Sequence, residues 1–149
     1  MANRLISGIA ALGLCCGVAL PADISLEVAT SADGASIRQG EALRIGWRAA
    51  GAPEGSTVAL QLQKVATRHL FLIVTGLPHE GEYAYAVPVF VVRPVMCVPD
   101  PSGACVNDIN PDTSYTIVAT LSGERPQDAT LVGAMSGTFA MLPASAKGR

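Results

Sequence analysis

The chain has 149 residues, half of them apolar and only 15% charged, with 15 Gly, 10 Pro and a formal net charge of −2. It is too apolar for disorder and too interrupted by Gly and Pro for a helical bundle. No cluster of Lys or Arg occurs, which argues against a nucleic-acid partner and against an anionic membrane surface.

The N-terminus, "MANRLISGIAALGLCCGVALPAD", places Arg4 ahead of an apolar stretch over residues 5–14, and small residues follow. This is the three-part pattern of a cleavable signal peptide over residues 1–22, and the apolar stretch is too short to span a bilayer. Cleavage after Ala19 and cleavage after Ala22 both suit the pattern. Cys15 and Cys16 lie in or beside the apolar stretch, and neither has the flanking residues that lipid attachment needs. The expected product is secreted or periplasmic, with no integral membrane segment after cleavage. It retains two cysteines, Cys97 and Cys105.

From Ile24 onward the apolar period is two. "ISLEVAT" is the first expected strand. "EALRIGWR" alternates Leu43, Ile45 and Trp47 against Arg44, Gly46 and Arg48. "STVALQLQK" alternates Val58, Leu60 and Leu62 against Ala59, Gln61 and Gln63. Such alternation gives each strand one apolar and one wetter face. "GAPEGS" between these two segments is a loop. "HLFLIVT" (residues 69–75) is nearly all apolar and reads as a strand covered on both faces, or lying beside a loop. "GEYAYAVP" points Tyr83 and Tyr85 one way, with Glu80 and Glu82 on the outer face.

Next comes the longest irregular segment, about residues 93–112. It is preceded by the apolar run "VFVVRPVM" and contains "CVPDPSGAC". In an exported protein two cysteines at this spacing are expected to pair. Closing that loop removes denatured-state entropy worth about 2.6 kcal/mol. The spacing is wrong for a redox C-x-x-C, and His69 and His79 do not complete a zinc set or a copper set. Asp100, Asn107, Asp108, Asn110 and Asp112 supply oxygens of the kind calcium takes, but without EF-hand spacing; they are also ordinary turn residues. No metal and no cofactor is expected.

"PDTSYTIVATL" opens a late strand with Tyr115, Ile117, Ala119 and Leu121 inward. Its "PDTSY" resembles a tyrosine corner, in which the hydroxyl bonds back to nearby backbone. "SGERPQD" is a break, and "GAMSGTFAML" (residues 133–142) is the last strand, with Phe139 and Met141 inward. About seven short strands favour an all-β, two-sheet, antiparallel sandwich over residues 23–143. Residues 144–149 form a flexible tail.

The order of these features resembles the immunoglobulin-like domain of the serine/threonine-rich, GPI-anchored cell-surface family, which also opens the yeast cell-wall synthesis proteins. The resemblance rests on Gly40 with Ile45 and Trp47, on Val58 and Leu60, and on Gly81, Tyr83, Tyr85 and Pro88. It continues through residues 115–117 and 136–139 and covers about 110 residues, most of the mature chain. It departs at Tyr85, where the family often has Trp, and in the long segment between Pro88 and Tyr115. No Ser/Thr-rich stalk or apolar tail follows Leu142, so a GPI anchor is not expected. What the resemblance implies is an immunoglobulin-like fold in a surface or extracellular setting, with Trp47, Tyr83, Tyr85, Tyr115 and Phe139 structural and no catalytic residue.

No nucleophile motif is present: "GAMSG" has its serine one place late. Glu80 and Glu82 read as solvated surface rather than a glycosidase pair. The expected function is therefore non-catalytic, binding or structural, toward an envelope polysaccharide or protein. The candidate contact residues are Val89, Phe90, Val91, Val92, Arg93 and Asp100. Two alternatives belong to other classes: a small extracellular hydrolase or metal-dependent enzyme, and a periplasmic chaperone or inhibitor that adds a strand to its target. A His/acid cluster in a cleft would mark the first, and an open sheet edge beside residues 89–96 the second.

Overall fold

The computed structural model describes residues 23–89, 109–111, 113–125 and 129–145. Among them the regular structure is entirely β. The strands are β1 (Ser25–Thr30), β2 (Ser36–Arg38), β3 (Ala42–Ala50), β4 (Thr57–Lys64), β5 (Leu70–Leu77), β6 (Glu80–Ala86), β7 (Thr113–Ser122), β8 (Thr130–Met135) and β9 (Phe139–Leu142). They form two sheets. The smaller runs β1-β3-β6. The larger runs β2-β9-β7-β4-β5, with β8 also paired to β7. All pairings are antiparallel except β2 with β9, which is parallel.

The alternation read from the sequence is the alternation of burial. Leu43, Ile45 and Trp47 of β3, Val58, Leu60 and Leu62 of β4, and Tyr115, Ile117, Ala119 and Leu121 of β7 are all buried, as are Phe139 and Met141 of β9. They belong to one cluster between the sheets, as in a β-sandwich. Each fully buried Leu, Ile or Val contributes about 1.5–3 kcal/mol. Trp47 spends its polar edge on a hydrogen bond from Nε1 to the Pro78 carbonyl, 2.9 Å. Its ring lies over Gly81, where an added Cβ would come within 3.0 Å of Cζ2. Tyr83 and Tyr85 are only half-buried because β6 is the edge of its sheet.

Three expectations need correction. Residues 133–142 are not one strand. β8 and β9 share one edge of β7, and the chain steps between them at Ser136. There the Ser136 hydroxyl accepts from the Ile117 amide (3.0 Å) and the Ser136 carbonyl accepts from Thr116 Oγ1 (2.9 Å), so side-chain bonds interrupt the ladder. β2 was not foreseen, since three residues carry too little alternation; only Ile37 is buried, between exposed Ser36 and Arg38. "HLFLIVT" is not covered on both faces. It forms the edge strand β5, and Leu70 and Leu72 are exposed.

The start of β7 is held by Tyr115. Its hydroxyl accepts from the Asn110 amide and donates to the Asn110 carbonyl, both at 3.0 Å. This is the corner geometry expected of the motif, made to Asn110; Asp112 lies outside the described residues. Lys64 continues the inward phase of β4 and is 4% exposed. Its Nζ donates to Asn110 Oδ1 at 2.7 Å, as a buried ammonium requires. The signal peptide, Cys97, Cys105 and residues 146–149 lie outside the described residues. Pro143, Ala144 and Ser145 follow β9 without regular structure.

Tyr115→Phe strips both Asn110 backbone groups of their partner and should cost about 1–3 kcal/mol in urea unfolding. Burial, and secondarily the Tyr83 phenol, hold the Tyr85 hydroxyl above its ordinary pKa. Its contribution is whole below the unfolded tyrosine pKa of about 10. It is lost as pH rises from there through the folded value, because the unfolded chain ionises first. In urea titrations at alkaline pH, Tyr85→Phe should therefore show a shallower decline of stability than the unsubstituted protein.

Candidate functional site

Because side chains alternate, the inward register of each sheet also decides which residues face water, and the two outer faces differ in kind. The smaller sheet turns out Glu27 from β1, Arg44 and Arg48 from β3, and Glu80 and Glu82 from β6, all exposed. Arg44 Nε lies 3.9 Å from Glu82 Oε1, and Arg48 Nε lies 4.0 Å from Glu80 Oε2. These side chains are well solvated, so each pair contributes little. The face is an ordinary charged surface.

The larger sheet presents the opposite. Across β5, β4, β7 and β8 no outward residue carries a charge. β4 turns out Thr57, Ala59, Gln61 and Gln63, and β7 turns out Val118, Thr120 and Ser122. Register places Leu72, Gln61, Val118 and Met135 in a single row across the four strands. Leu72 is 64% exposed and Met135 60%. Leu70 lies two residues before Leu72, Leu131 alternates with the core-packed Val132, and Val65 follows inward Lys64. Thus five of the six exposed large hydrophobic residues among those described lie on this one face. Single exposed aliphatics are normal; their gathering on one outer face sets it apart from the charged face of the smaller sheet.

The sixth is Val89, 54% exposed. It follows β6 and approaches Gly40, whose added Cβ would meet Val89 Cγ2 at 3.4 Å. Of the contact residues expected from the sequence it alone is described; Phe90, Val91, Val92, Arg93 and Asp100 lie outside the described residues. Asn107 and Asp108 of the calcium reading also lie outside them. Asn110, which is described, turns its Oδ1 to the Lys64 ammonium, an arrangement that suits a cation already supplied by the protein. Among the described residues no group of three His, Cys, Asp or Glu could hold a metal.

The structure also brings together two residues, Ser56 and His79, that nothing in the sequence links. His79 Nε2 lies 3.0 Å from Ser56 Oγ and 3.0 Å from the Ser56 carbonyl. The proton positions follow from the partners. Ser56 Oγ is 2.5 Å from the Pro53 carbonyl, which can only accept, so the hydroxyl donates there. The Ser56 carbonyl also only accepts, so the tautomer with hydrogen on Nε2 is the one that satisfies it. The pair ties the turn at residues 78–79 to the loop at residues 51–56. A groove of about 590 Å³ lies at the same end of the sandwich, between Pro53, Glu54, Glu124 and Leu131.

No protein-family model matches the chain, and no curated protein matches it in sequence. No described helix is long and apolar enough to cross a membrane.

Face residues and core residues should separate cleanly in thermal or urea unfolding. Measured in dilute protein, where association does not contribute, Leu72→Ser and Met135→Ser should each change stability by no more than about 0.5 kcal/mol. Ile117→Ala, on the inward phase of β7, should cost about 2–5 kcal/mol.

Proposed function

We propose that the chain is an exported, immunoglobulin-like, non-catalytic module that binds a protein through the outer face of its larger sheet. The observation that carries this is the row Leu72–Gln61–Val118–Met135, with its exposed aliphatic neighbours and without charge. The immunoglobulin-like reading is supported by several features together. The chain crosses between sheets from β3 to β4 and again from β6 to β7, and a tyrosine corner stands at the start of β7. The ordered resemblance in sequence adds to them. Export is supported by the leader pattern at residues 1–22 and by the cysteine pair in the remaining chain.

A protein suits the face better than a polysaccharide. Sugar rings are commonly held by aromatic platforms and convergent polar groups, and the outward row offers aliphatics and one amide. The hydrolase reading gains little from the Ser56–His79 contact, because the Ser56 hydroxyl is engaged by the Pro53 carbonyl. Strand addition is the second reading: among the described residues β6 ends the smaller sheet and leads toward residues 89–96, whereas β5, the edge of the larger sheet, is a poorer template. The β4–β5 ladder shifts register twice, and Gly76 has φ +72°. Bulges of this kind blunt an edge against added strands.

The reading is tested by placing a photo-crosslinking residue at position 72, 135 or 44 and irradiating the protein in the cells that export it. Adducts should form from positions 72 and 135 and not from position 44, on the charged sheet. Absence of adducts from the first two, with adducts formed from residues 89–96, would move the contact site to that run.

A further inference from the structure

Resting on the docking face just described, we infer that its occupant is a second copy of this chain, packed face to face about a two-fold axis that runs along the seam between β4 and β7. Three observations select a self-pair.

The first is charge. Across β5, β4, β7 and β8 a foreign partner bearing Lys, Arg, Asp or Glu would meet no counter-charge and would have to desolvate its own; the nearest charges, Arg38 of β2 and Glu124 and Arg125 after β7, lie at the margins of these four strands. A second copy brings another uncharged face, so neither side buries an ion. The smaller sheet cannot pair with itself in this way, because its outward Arg and Glu side chains would have to be desolvated together.

The second is the character of the row. Read across the sheet it runs Leu72, Gln61, Val118, Met135: large aliphatic at both margins, smaller or amide-bearing in the middle. Rotation about the seam lays β5 of one copy over β8 of the other and keeps the row in register. Leu72 then opposes Met135 of its counterpart twice, once at each margin. The two Gln61 amides fall side by side across the axis. An amide carries both donor and acceptor, so two can satisfy each other, as two carboxylates or two ammonium groups cannot. An isologous interface needs this self-complementarity.

The third is size. Four strands about 4.8 Å apart, over eight residues rising about 3.4 Å each, cover roughly 500 Å² in projection. The pleated accessible surface is larger than its projection, and Val65 and Leu131 extend it at opposite ends. That approaches the roughly 800 Å² per partner of a stable interface. Two twisted sheets stack in this manner about 10 Å apart.

Sedimentation velocity over a range of concentrations tests the pairing with the protein expressed from its full coding sequence. The unsubstituted protein should sediment as a dimer. Leu72→Glu should raise the dimer dissociation constant about 30-fold or more, and Met135→Glu should do the same, with unfolding midpoints unchanged at concentrations low enough for every variant to be monomeric. Leu72→Glu combined with Met135→Lys should restore association, because residue 72 of each copy then faces an opposite charge at residue 135 of the other. A monomer at every concentration overturns self-association. If photo-adducts from positions 72 and 135 then join a different protein, the docking face stands and only its occupant changes; if they form none, both readings fall. A dimer indifferent to all three variants places the pairing on another surface and overturns this one.

Discussion

Strand β7 is hydrogen-bonded along both edges, to β4 on one side and to β8 and β9 on the other. Its inward side chains Tyr115, Ile117, Ala119 and Leu121 have no exposed surface. A strand so placed has no freedom of register: a slip of one residue would turn all four into solvent and bring Thr116, Val118 and Thr120 into the core. The Tyr115 hydroxyl, bonded to both backbone groups of Asn110, pins the point where this strand begins. The buried Lys64 ammonium fastens the same asparagine to the end of β4. The two central strands of the larger sheet are therefore locked to each other at one end by polar bonds and along their length by the apolar core.

That lock has an outward consequence. Period two means that fixing the inward set also fixes the outward set, so Gln61, Val118 and Met135 share a row because Leu60, Ile117 and Ala134 point the other way. The backbone of the outer face is thus placed by the core behind it. A preorganised surface loses little entropy when it is covered, which suits a contact face better than a loop that must be ordered on binding. The charged outer face of the smaller sheet is built on equally regular strands. Its Arg and Glu side chains are long and solvated, and covering them would cost their hydration.

The loop end of the sandwich has a different character. His79 and Ser56 form a contact that looks like a nucleophile and its base. The carbonyls of Pro53 and Ser56 offer both side chains an acceptor. The pair serves the fold, holding the turn before β6 against the loop before β4, close to where Trp47 bonds the Pro78 carbonyl.

The sequence alone determined the all-β class, the inward set of β3, β4, β7 and β9, and the tyrosine at the β7 corner. Each of these is a local matter of alternation or of a turn residue beside a strand. It could not decide that "LFLIVTGL" lies at an edge, because an apolar run reads the same whether one neighbour or two cover it. Nor could it split residues 133–142, where the interruption depends on Ser136 meeting Thr116 and Ile117 from a strand about twenty residues away. The absence of charge from the outward positions of β4 and β7 was there to be read in "STVALQLQK" and "SYTIVATL". It became a surface only when register set Leu72 and Met135 on either side of them. Which side chains lie side by side across strands is a property of pairing between distant segments, and only the tertiary structure supplies it.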